Sequence, residues 1–335
     1  DFFSNRKINF KSILLYKINF DLNKHMAKME SESLSIRNLL QTIKPNIVLS
    51  HKGLDIYGAL GFWSKSQKIP SILISHGSHV LHSDKISKRE HKILANNILI
   101  SNYEYFGIQS PLARKMALTF TEKEKIENIK PAIWGNFSKK KNELSQNNIN
   151  IVHASTLKYR HQRRFIYETS DEYLSSILDL CQSIKKFDNI KLIIKTRPQD
   201  YELNIDTLKY FIRKVNSNVI IEYKKSLEEV LLSANLLISF SSTTIEEALI
   251  NRIPVLLYGG NGRYSHIPIK PYQKNDDIIA PATFIKDKKL LNSYFNSLSK
   301  LGSDYRFSSD KFNEYIFDKS LYASDFVLSK LKKSF

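Results

Sequence analysis

Short apolar runs rich in β-branched residues recur along this chain, and stretches with helical periodicity separate them. In the first half Ser12–Leu15, Asn46–Ser50, Ser71–Ser75 and Asn97–Ser101 read as strands, with helices over Leu22–Ile43, Leu54–Ser66 and Pro111–Leu118. In the second half the strands are Ile149–His153, Ile190–Lys195, Val219–Tyr223, Asn235–Phe240 and Pro254–Leu257. Helices fall over Asp171–Lys186, Leu227–Leu232 and Thr243–Ile250, and the tail after Lys288 reads as helical. Such alternation predicts βαβ units and parallel sheets. Ser138–Asn148 is polar and charged with no apolar face, which marks a linker. The expected fold class is α/β: two doubly wound Rossmann-type parallel-sheet domains, residues 1–140 and 149–335, facing across a cleft. In such sheets ligands gather at the carboxyl ends of the strands. The residues that follow strands are therefore the informative ones.

A chain of 335 residues with 42% hydrophobic and 25% charged residues can bury two cores, which excludes global disorder. Its single cysteine, Cys181, allows neither an internal disulfide nor a cysteine zinc site, and this points to a reducing, cytoplasmic compartment. The longest nearly apolar run, Val230–Phe240, is far short of the roughly 20 residues that span a bilayer. The start carries no signal-peptide pattern. It does not begin with Met, which fits a processed chain or a module of a larger protein such as a polymerase. Lys and Arg number 51 against 33 Asp and Glu, a net charge of +18 spread over both halves. That excess suits a polyanion, a phosphorylated small molecule or an anionic membrane surface, and it also suits a merely Lys- and Asn-rich composition.

The segment Asn235–Gly260 carries the strongest signal. A buried strand ends at Phe240, and Ser241, Ser242, Thr243 and Thr244 then open a helix bearing Glu246 and Glu247. A helix start offers unpaired N–H groups and partial positive charge, so it receives phosphate well. The same Thr-to-Glu spacing is also a capping box, which begins many helices that bind nothing. The run SSTTIEEAL followed by NRIPVLLYG closely resembles the donor-binding segment of GT-B glycosyltransferases that build bacterial surface polysaccharides. It is most similar to capsule and O-antigen Kdo transferases, polysialyltransferases and CDP-glycerol glycerophosphotransferases, and a related pattern occurs in UDP-GlcNAc 2-epimerases. The resemblance implies a GT-B-like fold, donor phosphate at Ser241, Ser242 and Thr243, and ribose at Glu246 or Glu247. Arg252 stands where those families often carry Gly.

Four further segments follow strands. Ile190–Pro198 delivers Lys195 and Arg197 where related transferases often carry Lys-x-His-Pro. Arg grips phosphate in two-pronged fashion but cannot act as an acid or base, so both residues are read as neutralising the leaving nucleotide. In ILISHGSHVLH, His76 follows a strand and resembles the cleft histidine of the same families. A metal site from His76, His79 and His82 is disfavoured, because a helix face takes at most two of them and Gly77 breaks the helix. Asp55 and Glu104 are the first-domain carboxylates expected at strand ends, either of which could serve the anomeric centre, or merely complement a helix dipole in the case of Asp55. Lys158, with Arg160, Arg163 and Arg164, opens the second domain as a basic loop suited to phosphate or to water.

No Walker A, no dinucleotide G-x-G-x-x-G, no G-x-S-x-G and no Asp-x-Asp metal motif is present. The expected function is a metal-independent, cofactor-free glycosyltransferase. By resemblance its donor is a CMP-sugar, with CMP-Kdo favoured, and its acceptor a lipid-linked oligosaccharide of O-antigen or capsule. The basic surface suits peripheral attachment to the anionic inner membrane from the cytoplasm. The alternatives are a CDP-glycerol glycerophosphotransferase, a UDP-GlcNAc 2-epimerase or a basic nucleic-acid-binding protein. The last lacks any nucleic-acid motif, so nucleic acid is not an expected partner.

Overall fold

The computed structural model describes residues 10–75, 80, 85–132, 134, 148–154, 168–196, 205–274, 276, 278, 280–301 and 309–331. The first unit runs α1 (Phe10–Ile43), β1 (Val48–Ser50), α2 (Ile56–Ser66), β2 (Ser71–Ile74), α3 (Lys85–Leu99), β3 (Tyr105–Ile108), α4 (Pro111–Ala117) and β4 (Ile126–Asn128). Its four strands are parallel in the order β1-β2-β3-β4. Local chemistry sets the boundaries. Ser110 caps α4, its hydroxyl accepting from Ala113 N–H at 3.1 Å with Pro111 at the first helical position.

Two strand assignments are corrected. Ser12–Leu15 lies in α1, where a short apolar run could not separate the two periods. The stripe Leu15, Ile18, Leu22, Met29 continues at helical spacing into Ile36 and Leu40, which pack against the first core. Asn97–Ser101 is the end of α3 and the turn after it. His91, Ala95 and Leu99 are buried at intervals of four, a helical period that outweighs the β-rich look of that run. The strand is Tyr105–Ile108 instead.

The second unit runs β5 (Ile149–His153), α5 (Ser170–Ile184), β6 (Ile190–Lys195), α6 (Ile205–Val215), β7 (Ile220–Glu222), α7 (Leu227–Leu231), β8 (Leu236–Ser239), α8 (Thr244–Ile250), β9 (Val255–Leu257), β10 (Ala282–Phe284) and α9 (Lys289–Leu301). All six strands are parallel in the order β10-β9-β8-β5-β6-β7. The chain walks from β5 to β7 in one direction, returns, and walks from β8 to β10 in the other. The reversal lies between β5 and β8. β8 is buried at all four positions, as a central parallel strand covered on both faces must be. One face packs Ile151, Leu236 and Ile238 against Tyr173 and Ile177 of α5 and Phe295 of α9. The other packs Val152, Leu237 and Leu257 against Val230, Ile245 and Leu249.

The two units touch. Val80, beyond β2, and Leu112 of α4 are buried in the same cluster as Val152 and Ala154. The C-terminal helix α10 (Ala323–Leu331) packs on the first sheet, although the sequence groups it with the second unit: Phe326 is fully buried with Ile72 and Ile129, and Leu321 pairs with Ile129. Among the described residues no helix is long and apolar enough to cross a membrane.

Candidate functional site

The strand order reverses between β5 and β8, and the carboxyl ends of two strands at such a reversal are where open α/β sheets bind ligands. Ala154 stands at this point. The Ala154 carbonyl accepts from the hydroxyls of Ser239, at 2.8 Å, and Thr244, at 3.3 Å. Its N–H donates to the Ile238 carbonyl at 3.0 Å. His153, the last residue of β5, is buried beside the Tyr173 ring. Burial lowers its imidazole to about 4, so the ring is neutral near pH 7.

Ser241, Ser242 and Thr243 form the turn between β8 and α8. The capping box that the sequence allows does not form. Thr243 stands at the N-cap with no side-chain capping bond, and Thr244 reaches back to Ala154 instead. Ser242 Oγ accepts the Thr244 N–H at 3.3 Å. The turn itself stands at the carboxyl end of β8, tied to Ala154 through the Thr244 hydroxyl.

Of the two helix carboxylates, Glu246 is 1% exposed and Glu247 is half-buried. Glu246 Oε1 lies 3.3 Å from Nε2 of His266, and His266 Nδ1 lies 3.1 Å from the Tyr264 hydroxyl. Among the described residues no hydrogen-bond donor reaches Glu246 Oε2. A buried acceptor left unmatched costs about 1–3 kcal/mol, more when charged. The Tyr264 ring stacks on His91 of α3 at 5.9 Å and 7°, and meets Phe240 edge-on at 5.6 Å.

The loop after β9 closes against Phe240. A side chain at Gly260, whose φ is 52°, would come within 2.6 Å of the Phe240 ring. The Gly260 N–H donates to Glu168 Oε2 at 3.2 Å. Arg263 then grips Glu172 with both prongs, at 2.5 and 2.6 Å. Glu172 is also the capping-box residue of α5, paired with Thr169. The hydrogen bond from Arg263 is the leading cause that holds the Glu172 carboxyl below its ordinary value. Tyr258, Gly259, Asn261, Asp179 and Lys288 line a cavity of about 610 Å³ on this edge of the sheet.

Lys195 ends β6, one strand from β5. It is 8% exposed, and its ammonium donates to the Thr196 carbonyl at 2.6 Å. Asp55 is exposed on the carboxyl side of β1, just before α2, with φ 54° and ψ −133°. That conformation costs a non-glycine residue on the order of 1–3 kcal/mol. Glu104 is corrected. It precedes β3, and its N–H donates to the carbonyl of Ser71, the first residue of β2, so it sits at the amino edge of the sheet. The misplaced strand over Asn97–Ser101 caused the error. His76, Lys158 and Arg197 lie outside the described residues. Arg252 adopts φ 57°, a left-handed value that accounts for glycine being the easier residue at this turn.

His266, Tyr264 and His91 carried no sequence signal, since each meets the site only through the fold. His266 lies twenty residues after Glu246. The aromatic-rich run Tyr264-Ser265-His266 behind the glycine loop was the one available hint.

No family model and no curated protein matches this chain. Solved structures do. A co-structure of S. aureus MnaA with UDP is 13% identical with a TM-score of 0.54, covering 92% of this chain and 80% of that one. The UDP-GlcNAc 2-epimerase of Neisseria meningitidis, bound to UDP-GlcNAc, is 16% identical with a TM-score of 0.53, covering 91% and 82%. MurG of Acinetobacter baumannii is 13% identical with a TM-score of 0.52, covering 90% and 77%. At such identities the likeness concerns architecture, and with the two parallel sheets it shows that this chain has a GT-B-like α/β fold.

Proposed function

We propose that this protein is a glycosyltransferase that takes a nucleotide sugar at the carboxyl ends of β5 and β8. The observation that carries the reading is Glu246. It is a buried carboxylate with one oxygen beside His266 and the other without a donor among the described residues, on the first turn of the helix that follows the Ser241–Thr243 turn. A ribose diol supplies two O–H donors to such an acceptor. The phosphate beside it would meet the hydroxyls and N–H groups of residues 241–243.

In the transfer the bond between the anomeric carbon and the phosphate oxygen breaks. The nucleotide leaves with the electron pair, and the acceptor hydroxyl forms the new bond as a base takes its proton. Lys195 and Arg197 are the cations assigned to the departing phosphate, without a metal. Lys158 is the further basic residue assigned to the donor. Asp55 and His76 are the groups assigned to the acceptor side.

The finer assignment is CMP-Kdo as donor and a lipid-linked O-antigen or capsule glycan as acceptor, with the protein held to the anionic inner face of the cytoplasmic membrane. The resemblance of residues 241–260 and the net charge of +18 support it. A UDP-GlcNAc 2-epimerase is the second reading, favoured by the common architecture with structures that hold UDP or UDP-GlcNAc. Epimerisation needs carboxylates converging on one sugar, and the position of Glu104 at the amino edge removes one of them.

The test is nucleotide release. CMP appearing from CMP-Kdo only when a lipid-linked acceptor is present supports the proposal. Conversion of UDP-GlcNAc to its 2-epimer with no acceptor would replace it with the second reading. Inertness toward both, with no thermal stabilisation by CMP, CDP or UDP, would end both readings.

A further inference from the structure

The buried side chains of Glu246, His266 and Tyr264 form a directed chain. A carboxylate only accepts, so Glu246 Oε1 fixes the proton of His266 on Nε2. In the tautomer with that proton on Nε2, Nδ1 is an acceptor and the Tyr264 hydroxyl 3.1 Å away donates to it. Tyr264 is 3% exposed, His266 5% and Glu246 1%, so water does not compete for these bonds. The Tyr264 ring is in turn held flat against His91, a residue of α3 in the first unit. Of the polar side-chain atoms of Glu246, His266 and Tyr264, Glu246 Oε2 is the one that finds no donor among the described residues.

We propose that His266 is a positioning residue for Glu246, holding one carboxylate oxygen so that the other is presented to the 2′,3′-diol of the bound nucleotide, with Tyr264 fixing the ring in the tautomer this requires. The inference rests on the nucleotide-sugar reading above. The opposite tautomer cannot serve both neighbours, because Nε2 would then face the carboxylate without a proton. Loss of the Tyr264 hydroxyl removes the bond that favours the productive tautomer. Its aromatic ring, left in place by phenylalanine, keeps the contact with His91 and the packing on Phe240.

The experiment compares ribonucleotides with their 2′,3′-dideoxy analogues by calorimetry, using CMP and UMP as probes on the whole chain. Wild type should bind the better of the two ribonucleotides more tightly than its dideoxy form. His266→Leu should remove most of that preference, roughly five- to tenfold, while leaving the dideoxy affinity unchanged. Tyr264→Phe should lose part of it. His266→Gln, whose amide N–H still reaches a carboxylate, should recover part of it. A variant that weakens both forms equally would show that His266 supports the fold and does not aim the carboxylate, and an unchanged preference in His266→Leu and Tyr264→Phe would overturn the proposal outright. Wild type that binds neither probe in either form would bring down the nucleotide-sugar reading and this inference with it. Should His266→Leu fail to fold, the Tyr264→Phe and His266→Gln pair still decides.

Discussion

The Ser239 hydroxyl, at the end of β8, donates to the Ala154 carbonyl just past β5 at 2.8 Å. This bond ties together the two strands between which the sheet reverses direction. Ser239→Ala is expected to cost about 1 kcal/mol, because Thr244 still serves the same carbonyl. Ser239→Ala with Thr244→Val should cost more than the sum, since the buried carbonyl then loses both donors. Urea unfolding of the two single variants and the double variant checks this.

His153 makes stability depend on acidity. Its folded value of about 4 lies below the ordinary 6.5, so the unfolded chain binds the extra proton between these values. Stability is full above about pH 6.5 and falls as pH drops toward 4, by roughly 3 kcal/mol from this group. His153→Gln should flatten that part of the pH profile relative to wild type. Equal slopes in the two proteins would show that the imidazole is not held neutral.

Arg263 and Glu172 fasten the glycine loop to the start of α5. The depressed Glu172 carboxyl contributes stability that is present above its ordinary value near 4.5 and is lost as pH falls through the folded value. Arg263→Met should therefore cost about 1–2 kcal/mol at pH 7, and the gap to wild type should shrink as pH falls below the ordinary value near 4.5. Thermal melts across that range measure the gap.

Phe326 anchors the last helix on the first unit, fully buried with Ile72 and Ile129. Phe326→Ala should cost about 3–5 kcal/mol. Limited proteolysis should find α10 cut sooner in this variant. A variant as stable as wild type would mean that the helix adds little to the first unit.

The second unit was legible because its strands are long apolar runs with helices of clear period between them; Asn235–Phe240 and Thr243–Ile250 hold to within two residues. The first unit misled where strand and helix compositions overlap. Asn97–Ser101 looks β-rich, yet it ends a helix whose buried face, His91, Ala95 and Leu99, shows only at longer range. β10 and α6 are apolar enough to be strand and helix but stand out less: β10 is only Ala282–Phe284, directly after Pro281, and α6 interleaves its apolar residues with charged ones. At the site the sequence offered Glu246 and Glu247 as equals, and only burial separates them. Periodicity places residues on elements, whereas a contact such as that of His266 with Glu246 requires two distant loops to meet.

The chain crosses from the first unit to the second between Trp134 and Asn148, and crosses back between Tyr315 and Leu321. The return crossing takes only the few residues from Tyr315, buried in the second core, to Leu321, paired with Ile129 of the first unit. The two units are thus fastened at a second point, and drawing them apart would also have to separate the stacked rings of His91 and Tyr264.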